Sequence, residues 1–387
     1  MRGHIAKKGK KYYIVIDLER DELTGKRKQK WLSGYDKKKD AEKALPDVLS
    51  DFMKGTFVEP TKKTFGEIME SWLEDKKTSV KHGTWKAYEW LVNSHIIPNL
   101  GNIQVTKLKP QHLHDLYHKT LNGKLSVGSI KKTHVLILDA LNRAVIWGMI
   151  SQNVAQYVDL PQGKKKKFEV WNEDQLRLFL DVASKDQYYM AFELAASTGM
   201  RQSEILALRR VDVDLITKTA SVRQAYTLAE VGHDFDDTKN DSSVRSIALF
   251  VDTVKLLESH FRKQEHERAT NPMYNDSGLV IQTSAGTPLG PRNLMRHYYR
   301  ILDSIIKEHP DFPKIRFHDL RHTHATLLLK AGIHPKIVQE RLGHSSINVT
   351  LDTYSHVLPN LQESVLKNIG DSITGARLNT KEPTLLK

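Results

Sequence analysis

Tyr12, Ile14, Ile16 and Leu18 alternate with Tyr13, Val15 and Asp17, the two-residue period of a half-buried strand. Thr24-Gly25-Lys26 predicts a hairpin turn into a basic strand from Arg27 to Leu32, with a third short strand near Gly34-Tyr35. The period then lengthens. Ala41, Ala44, Leu45, Val48 and Phe52 fall on one helical face, and Pro46 is expected to kink that helix or restart it. A second helical pattern follows Glu59-Pro60-Thr61-Lys62-Lys63, a plausible linker. There Thr64 and Glu67 form a capping box, and Phe65, Ile68, Trp72 and Leu73 supply the apolar face. Further helices are predicted from Thr84 to Ile97 (stopped by Pro98 and Gly101), from Pro110 to Leu121 and from Ser129 to Met149.

Leu160-Pro161-Gln162-Gly163 and the four lysines Lys164, Lys165, Lys166 and Lys167 interrupt the pattern. Such a run cannot enter a core; it is a solvated hinge or lies against phosphates. Beyond it Asn172 can cap a helix carrying Leu176, Phe179 and Leu180. Strand-like stretches at Ala220 to Tyr226 and Val244 to Phe250 are mixed with helices, and periodicity is lost from Thr374. The expected fold class is multidomain α+β. A small sheet-plus-helix module spans residues 1–56 and an all-helical domain residues 64–160. A basic linker covers 161–168, and a mixed, mainly helical domain covers 169–373 with a tail to 387.

Composition narrows the chemistry. Among 387 residues, 59 Lys+Arg against 46 Asp+Glu leave a formal charge of +13, which makes a polyanion the first partner to consider. The first thirty residues are the densest basic segment. With no cysteine, a disulfide scaffold, a Cys-ligated zinc site and a thiol nucleophile are excluded. The longest apolar stretch, Ala144 to Ile150, is far shorter than the roughly 18 residues of a membrane span. The charged opening Met1 to Lys8 has no apolar core behind it, so neither membrane nor secretion is expected, and a cytoplasmic location is.

Four local patterns carry candidate chemistry. In Thr198-Gly199-Met200-Arg201-Gln202-Ser203-Glu204, Gly199 ends an apolar helix and a new helix begins near Gln202. Arg201 then joins backbone amides facing an anion, with Glu204 placed to steady the guanidinium. In His318-Asp319-Leu320-Arg321-His322-Thr323-His324, His318 and Arg321 share a helix face while Leu320, Leu327 and Leu328 are expected on the buried side. Three histidines invite a zinc reading, but the spacing is not HExxH and no cysteine can assist; incidental histidines on a structural helix are the alternative. Leu342-Gly343-His344 is a helix stop, and Thr350-Leu351-Asp352-Thr353-Tyr354 places a tyrosine on a helix, where packing is its ordinary use.

Together these motifs resemble the tyrosine recombinase (phage integrase) family. Its set of Arg, Lys, His-x-x-Arg, His or Trp, and Tyr falls here on Arg201, Lys239, His318, Arg321, His344 and Tyr354. Lys239 stands in Asp237-Thr238-Lys239-Asn240-Asp241, before the strand at Val244 to Leu249, where the family carries its lysine on a β-hairpin; Lys255 and Lys263 fit worse. Residues 64–160 look like the family's helical core-binding domain. Residues 1–56 look like the arm-binding module of integrases from Gram-positive mobile elements, with Pro46 a departure.

The resemblance implies a site-specific integrase that cleaves and rejoins DNA through a 3′-phosphotyrosyl intermediate. Tyr354 would be the nucleophile, Arg201, Arg321 and His344 would hold the phosphate, His318 would help deprotonate Tyr354, and Lys239 would protonate the leaving 5′ oxygen. This chemistry needs no cofactor and no metal. The implied partners are double-stranded attachment sites of core and arm type, three further copies in a tetramer on DNA, an excisionase and a host DNA-bending protein. DNA contacts are expected at Lys26, Arg27, Lys28 and at Lys164 to Lys167. After Tyr354, Leu361, Val365 and Leu366 form a short apolar face that docks on a neighbouring copy or in cis. A type IB topoisomerase-like relaxase and a regulator that binds DNA without cutting it are the alternatives. A second DNA-binding module argues against the first, and the complete residue set against the second.

Overall fold

The computed structural model describes residues 2–17, 29–53, 61–163, 169–230, 232–237 and 244–354. The chain divides into two compact units, residues 1–165 and 166–387.

The first unit opens with β1 (Arg2–Lys8), β2 (Lys11–Asp17) and β3 (Gln29–Tyr35), an antiparallel meander in the order β1-β2-β3. Helix α1 (Lys38–Met53) packs Leu45, Val48 and Phe52 against a core of Ile14, Ile16, Leu32 and Ala41. Strand β1 was not expected, because Arg-Gly-His-Ile-Ala-Lys-Lys has no alternation of its own and owes its conformation to pairing with β2. Gly34-Tyr35 is the end of β3 rather than a separate strand. Pro46 does not restart α1, which runs unbroken through it. Pro46 lies on the exposed face, where water can satisfy the carbonyl that loses its amide partner. The Thr24–Lys26 turn and Lys26, Arg27 and Lys28 fall outside the described residues.

The helical part begins at the capping box: Thr64 N–H donates to Glu67 at 2.6 Å and Glu67 N–H to the Thr64 hydroxyl at 3.3 Å. Then come α2 (Phe65–Ser79), α3 (His82–Leu91), α4 (Ile97–Leu100), α5 (Pro110–Asp115) and α6 (Val127–Ile146). Their interior is one apolar cluster, with Phe65, Ile68, Trp72, Ile137 and Leu141 at its centre. Pro98 does not stop the second helix. A π turn at Val92–Ile96, in which Ile97 N–H donates to Val92 O, inserts a residue and sets Pro98 in the first turn of α4, where a missing N–H costs nothing. A second π turn, Leu116–Thr120, extends α5.

The second unit carries a larger core around Trp171, Phe179, Phe192, Leu257, Tyr298 and Leu302. Asn172 caps α7 (Glu173–Ala183) in a capping box with Gln175. Helices α8 (Tyr189–Thr198) and α9 (Gln202–Ala207) follow. Next are β4 (Val213–Asp214), β5 (Thr219–Val222), β6 (Gln224–Leu228), β7 (His233–Asp237) and β8 (Arg245–Ala248). One sheet runs β4-β5-β8, and β6 and β7 form a separate antiparallel pair. The described residues continue through α10 (Val251–Thr270), α11 (Pro291–Glu308), α12 (Asp319–Lys330), α13 (Pro335–Leu342) and α14 (Ile347–Tyr354). Among the described residues no helix is long and apolar enough to cross a membrane. Lys164 to Lys167, Lys239, and Leu361, Val365 and Leu366 all lie outside the described residues.

Candidate active site

The site is built on two helix ends that stop in left-handed glycines, Gly199 after α8 (φ 67) and Gly343 after α13 (φ 68). At Gly199 the requirement is steric as well as torsional. A Cβ there would lie 2.7 Å from Leu342 and 2.8 Å from His324, closer than packed atoms tolerate. A helix C-terminus leaves carbonyls without amide partners, and here side chains answer them. Arg321 donates from one terminal nitrogen to Gly199 O at 2.8 Å and from the other to Leu342 O at 2.7 Å. Arg341 donates to Ser197 O at 2.8 Å, and His324 Nδ1 lies 2.8 Å from Ala196 O. A carbonyl only accepts, so His324 carries its proton on Nδ1, leaving Nε2 to accept from Arg341 Nε at 3.0 Å.

Arg201 caps α9 with its backbone N–H on Glu204 at 2.8 Å, and its guanidinium bonds the same carboxylate at 2.7 Å. The expected steadying role of Glu204 is present, with a second cation that sequence reasoning missed. Arg245 at the start of β8 donates to Glu204 at 2.8 Å and to Arg341 O at 2.8 Å. Burial alone would raise the Glu204 pKa, but Arg245 and Arg201 hold it at about 2. A signal for Arg245 existed: it shares strand parity with Ile247 and Leu249, which are buried, and a cation on the inner face of a strand requires a buried anion.

Helix α12 departs from the expected division. Leu320 is buried, but Leu327 and Leu328 are only half-buried, while Arg321 (3% exposed) and His324 (5%) take the interior. Those two polar residues can be inside because α8 and α13 bring them carbonyls. Burial, then the neighbouring Arg201, draws the Arg321 pKa down to about 9, still cationic at neutral pH.

Tyr354, at the end of α14, is fully buried in a small cluster with Ala325, Leu329, Val338 and Leu342. Its hydroxyl lies 2.8 Å from Nδ1 of His322, where the sequence suggested His318. The reason is position along the helix: His318 and His322 lie one turn apart, but His322 stands inside α12 beside Ala325 and Leu329, where Tyr354 packs, whereas His318 is the N-cap, exposed, with its ring edge-on to His322 at 5.4 Å. Burial raises the Tyr354 hydroxyl to about 12, against the pull of Arg321. Burial, then His318, lowers His322 to about 4. Partial desolvation, then the Arg321 charge, lowers His318. His344 is lowered to about 3 by burial, Arg321 and Arg201, and its Nδ1 lies 2.8 Å from the Thr350 hydroxyl.

Five of the six expected residues therefore converge. Arg321 feels the charges of Arg201 and Tyr354, and His344 feels Arg321 and Arg201, while His318 feels Arg321 and Arg201. Lys239 is outside the described residues. The two histidines within α12 turn to different partners, His322 to Tyr354 and His324 to Ala196 O and Arg341. Two guanidiniums, neutral imidazoles and a phenol around one point suit an anionic tetrahedral or trigonal-bipyramidal centre.

Comparison with known proteins shows the family. Residues 169–360 match the phage integrase family, residues 64–121 the phage integrase N-terminal SAM-like domain, and residues 4–52 an arm DNA-binding domain. A tyrosine recombinase XerC-like protein of Caldanaerobacter subterraneus subsp. tengcongensis is 28% identical, covering 96% of this chain and 98% of that one. The fold is similar to that of the Tn1549 transposon integrase in complex with a circular intermediate DNA, with a TM-score of 0.69 at 20% identity over 79% of this chain and 99% of that chain. It is also similar to a lambda integrase tetramer bound to a Holliday junction, with a TM-score of 0.57 at 17% identity over 89% and 92% of the two chains. The chain belongs to the phage integrase family: it is a tyrosine recombinase, a site-specific enzyme acting on DNA, with an arm-binding module, a SAM-like helical domain and a mainly helical catalytic domain.

Proposed function

We propose that this recombinase integrates and excises a phage or other mobile element, with Tyr354 as nucleophile and Arg201, Arg321, His318, His344 and Lys239 completing the catalytic set. The observation that carries the reading is the meeting of four cationic or donor side chains with one buried tyrosine at the ends of α8, α12, α13 and α14. The Tyr354 oxygen attacks the scissile phosphorus as the bond to the 5′ oxygen breaks. That oxygen takes a proton from Lys239, and the strand is left as a 3′-phosphotyrosyl ester. Attack by the 5′ hydroxyl of the partner strand reverses the step without ATP, because the ester conserves the bond.

Arg201 and Arg321 supply positive charge for the non-bridging oxygens. Arg321 spends two of its five donors on carbonyls and keeps three for the phosphate. His322 holds the phenol but does not ionise it in the free enzyme. Moving the proton from a group at about 12 to one at about 4 would cost about 11 kcal/mol. As the phosphate arrives its negative charge raises the basicity of the imidazole, and the Tyr354 proton passes to His322 Nδ1, 2.8 Å away, as the oxygen attacks.

Residues 1–56 bind arm-type sites, 64–160 core sites, 161–168 form the basic linker and 169–373 the catalytic domain. Four copies act together on a Holliday junction inside a bacterial cell, and an excisionase and a host DNA-bending protein assist. Lys26, Arg27, Lys28 and Lys164 to Lys167 contact phosphates.

The test is a duplex from the junction between the element and its host, nicked so that the short cleavage product diffuses away. Wild-type protein is expected to form a covalent adduct that survives denaturing electrophoresis, and Tyr354→Phe none. Absence of the wild-type adduct, or an undiminished adduct from Tyr354→Phe, overturns the reading.

A further inference from the structure

Helix α14 carries two buried hydroxyls one turn apart, Thr350 and Tyr354, both fully shielded from solvent. The Thr350 hydroxyl lies 2.8 Å from His344 Nδ1. Gln339 fixes the same histidine by its backbone: His344 N–H donates to Gln339 O at 3.1 Å, and the Gln339 side-chain amide donates to His344 O at 2.6 Å. With the backbone held on both sides and Nδ1 engaged, the freedom left to His344 is which ring nitrogen carries its single proton.

A hydroxyl answers either tautomer, giving its hydrogen to a bare Nδ1 or accepting from Nδ1–H. A non-bridging phosphate oxygen has no such choice and only accepts. A neutral His344 can therefore donate to the phosphate from Nε2 only when Nδ1 is bare and the Thr350 hydroxyl points its hydrogen at it.

We propose that Thr350 is a positioning residue that sets the tautomer of His344, so that seating α14 delivers the nucleophile and prepares the phosphate donor in one movement. The proposal rests on the reading of His344 as a phosphate ligand and Tyr354 as the nucleophile. Residues at i and i+4 are separated by one 5.4 Å turn, and the helix cannot seat one hydroxyl without the other. A copy whose α14 is withdrawn loses the nucleophile, and its His344 is then free to carry the proton on the wrong nitrogen.

The experiment is single-turnover cleavage of the nicked junction duplex by the full chain, with duplex binding and the melting transition followed in parallel. The near-isosteric Thr350→Val should slow cleavage by about 10–100-fold with binding and melting unchanged, while Thr350→Ser, which keeps the hydroxyl, should stay within about threefold of wild type. His344→Ala tests the parent reading by itself: a wild-type rate from that variant removes His344 from the chemistry. Where His344→Ala is slow, the double variant His344→Ala/Thr350→Val decides. No further loss supports the proposal. A further loss of about tenfold, Thr350→Val at the wild-type rate, or Thr350→Ser as slow as Thr350→Val overturns it.

Discussion

In the helical part of the first unit, Phe65, Ile68, Trp72, Ile137 and Leu141 fill the interior with hydrocarbon. Around Arg321 the same degree of burial is given to a guanidinium, an imidazole, a carboxylate and a phenol. The first interior is held by removal of apolar surface from water, about 25 cal/mol per Å², and tolerates any chain that keeps its volume. The second costs free energy to desolvate and persists because each polar atom meets a fixed partner, among them Gly199 O, Leu342 O and Glu204. One region is built for stability, the other for orientation.

The largest effect should come from Arg321→Lys. An ammonium cannot span Gly199 O and Leu342 O and still present a planar fork, so single-turnover cleavage should fall by about 10³-fold. A loss below tenfold would show that charge alone suffices and that the fixed geometry is incidental. Ile137→Ala, in the hydrocarbon interior, should do the opposite. It should cost about 2–5 kcal/mol of stability in urea titration and leave cleavage by the folded protein on saturating duplex within about twofold. A rate loss approaching that of Arg321→Lys would erase the contrast between the two regions.

A smaller effect should come from pH. His324 falls from the ordinary 6.5 to about 3, through burial and then Arg341. The unfolded chain therefore binds the extra proton first as the pH drops. Its contribution is complete above 6.5 and is lost as pH falls toward 3, amounting to about 2 kcal/mol by pH 5. Urea midpoints at pH 7 and pH 5 should show the decline, and His324→Asn should lessen it by about that amount, leaving the share of His322 and His344. An unchanged slope in that variant would place the acid sensitivity elsewhere.

Much of the helical part was legible because hydrophobic spacing and capping are local. Thr64 with Glu67 was readable as a capping box and Asn172 as a cap from a few residues of sequence. Pro98 was misread because a π turn several residues upstream changes the phase in which the proline arrives. Strand β1 was missed because its pattern exists only in its pairing with β2. In the site, the motif residues themselves were legible, but their partners were not. Arg245 reaches Glu204 across 41 residues and Arg321 reaches Gly199 across 122, separations that no period encodes. The exchange of His318 for His322 beside Tyr354 shows the same limit on one helix, since the choice depended on which turn of α12 the tyrosine meets.

Arg321 is answered by the carbonyl ends of α8 and α13, the negative poles of two helix dipoles. Dipoles orient a cation without discharging it, and they cannot drift away as mobile counterions do. A phosphate arriving at Arg321 therefore meets a guanidinium held by neutral carbonyls. The salt sensitivity of the reaction should then reside in the surface cations that meet the duplex, where ions are released on binding. The step at Arg321 itself is walled off from the ionic atmosphere and draws on a charge kept whole.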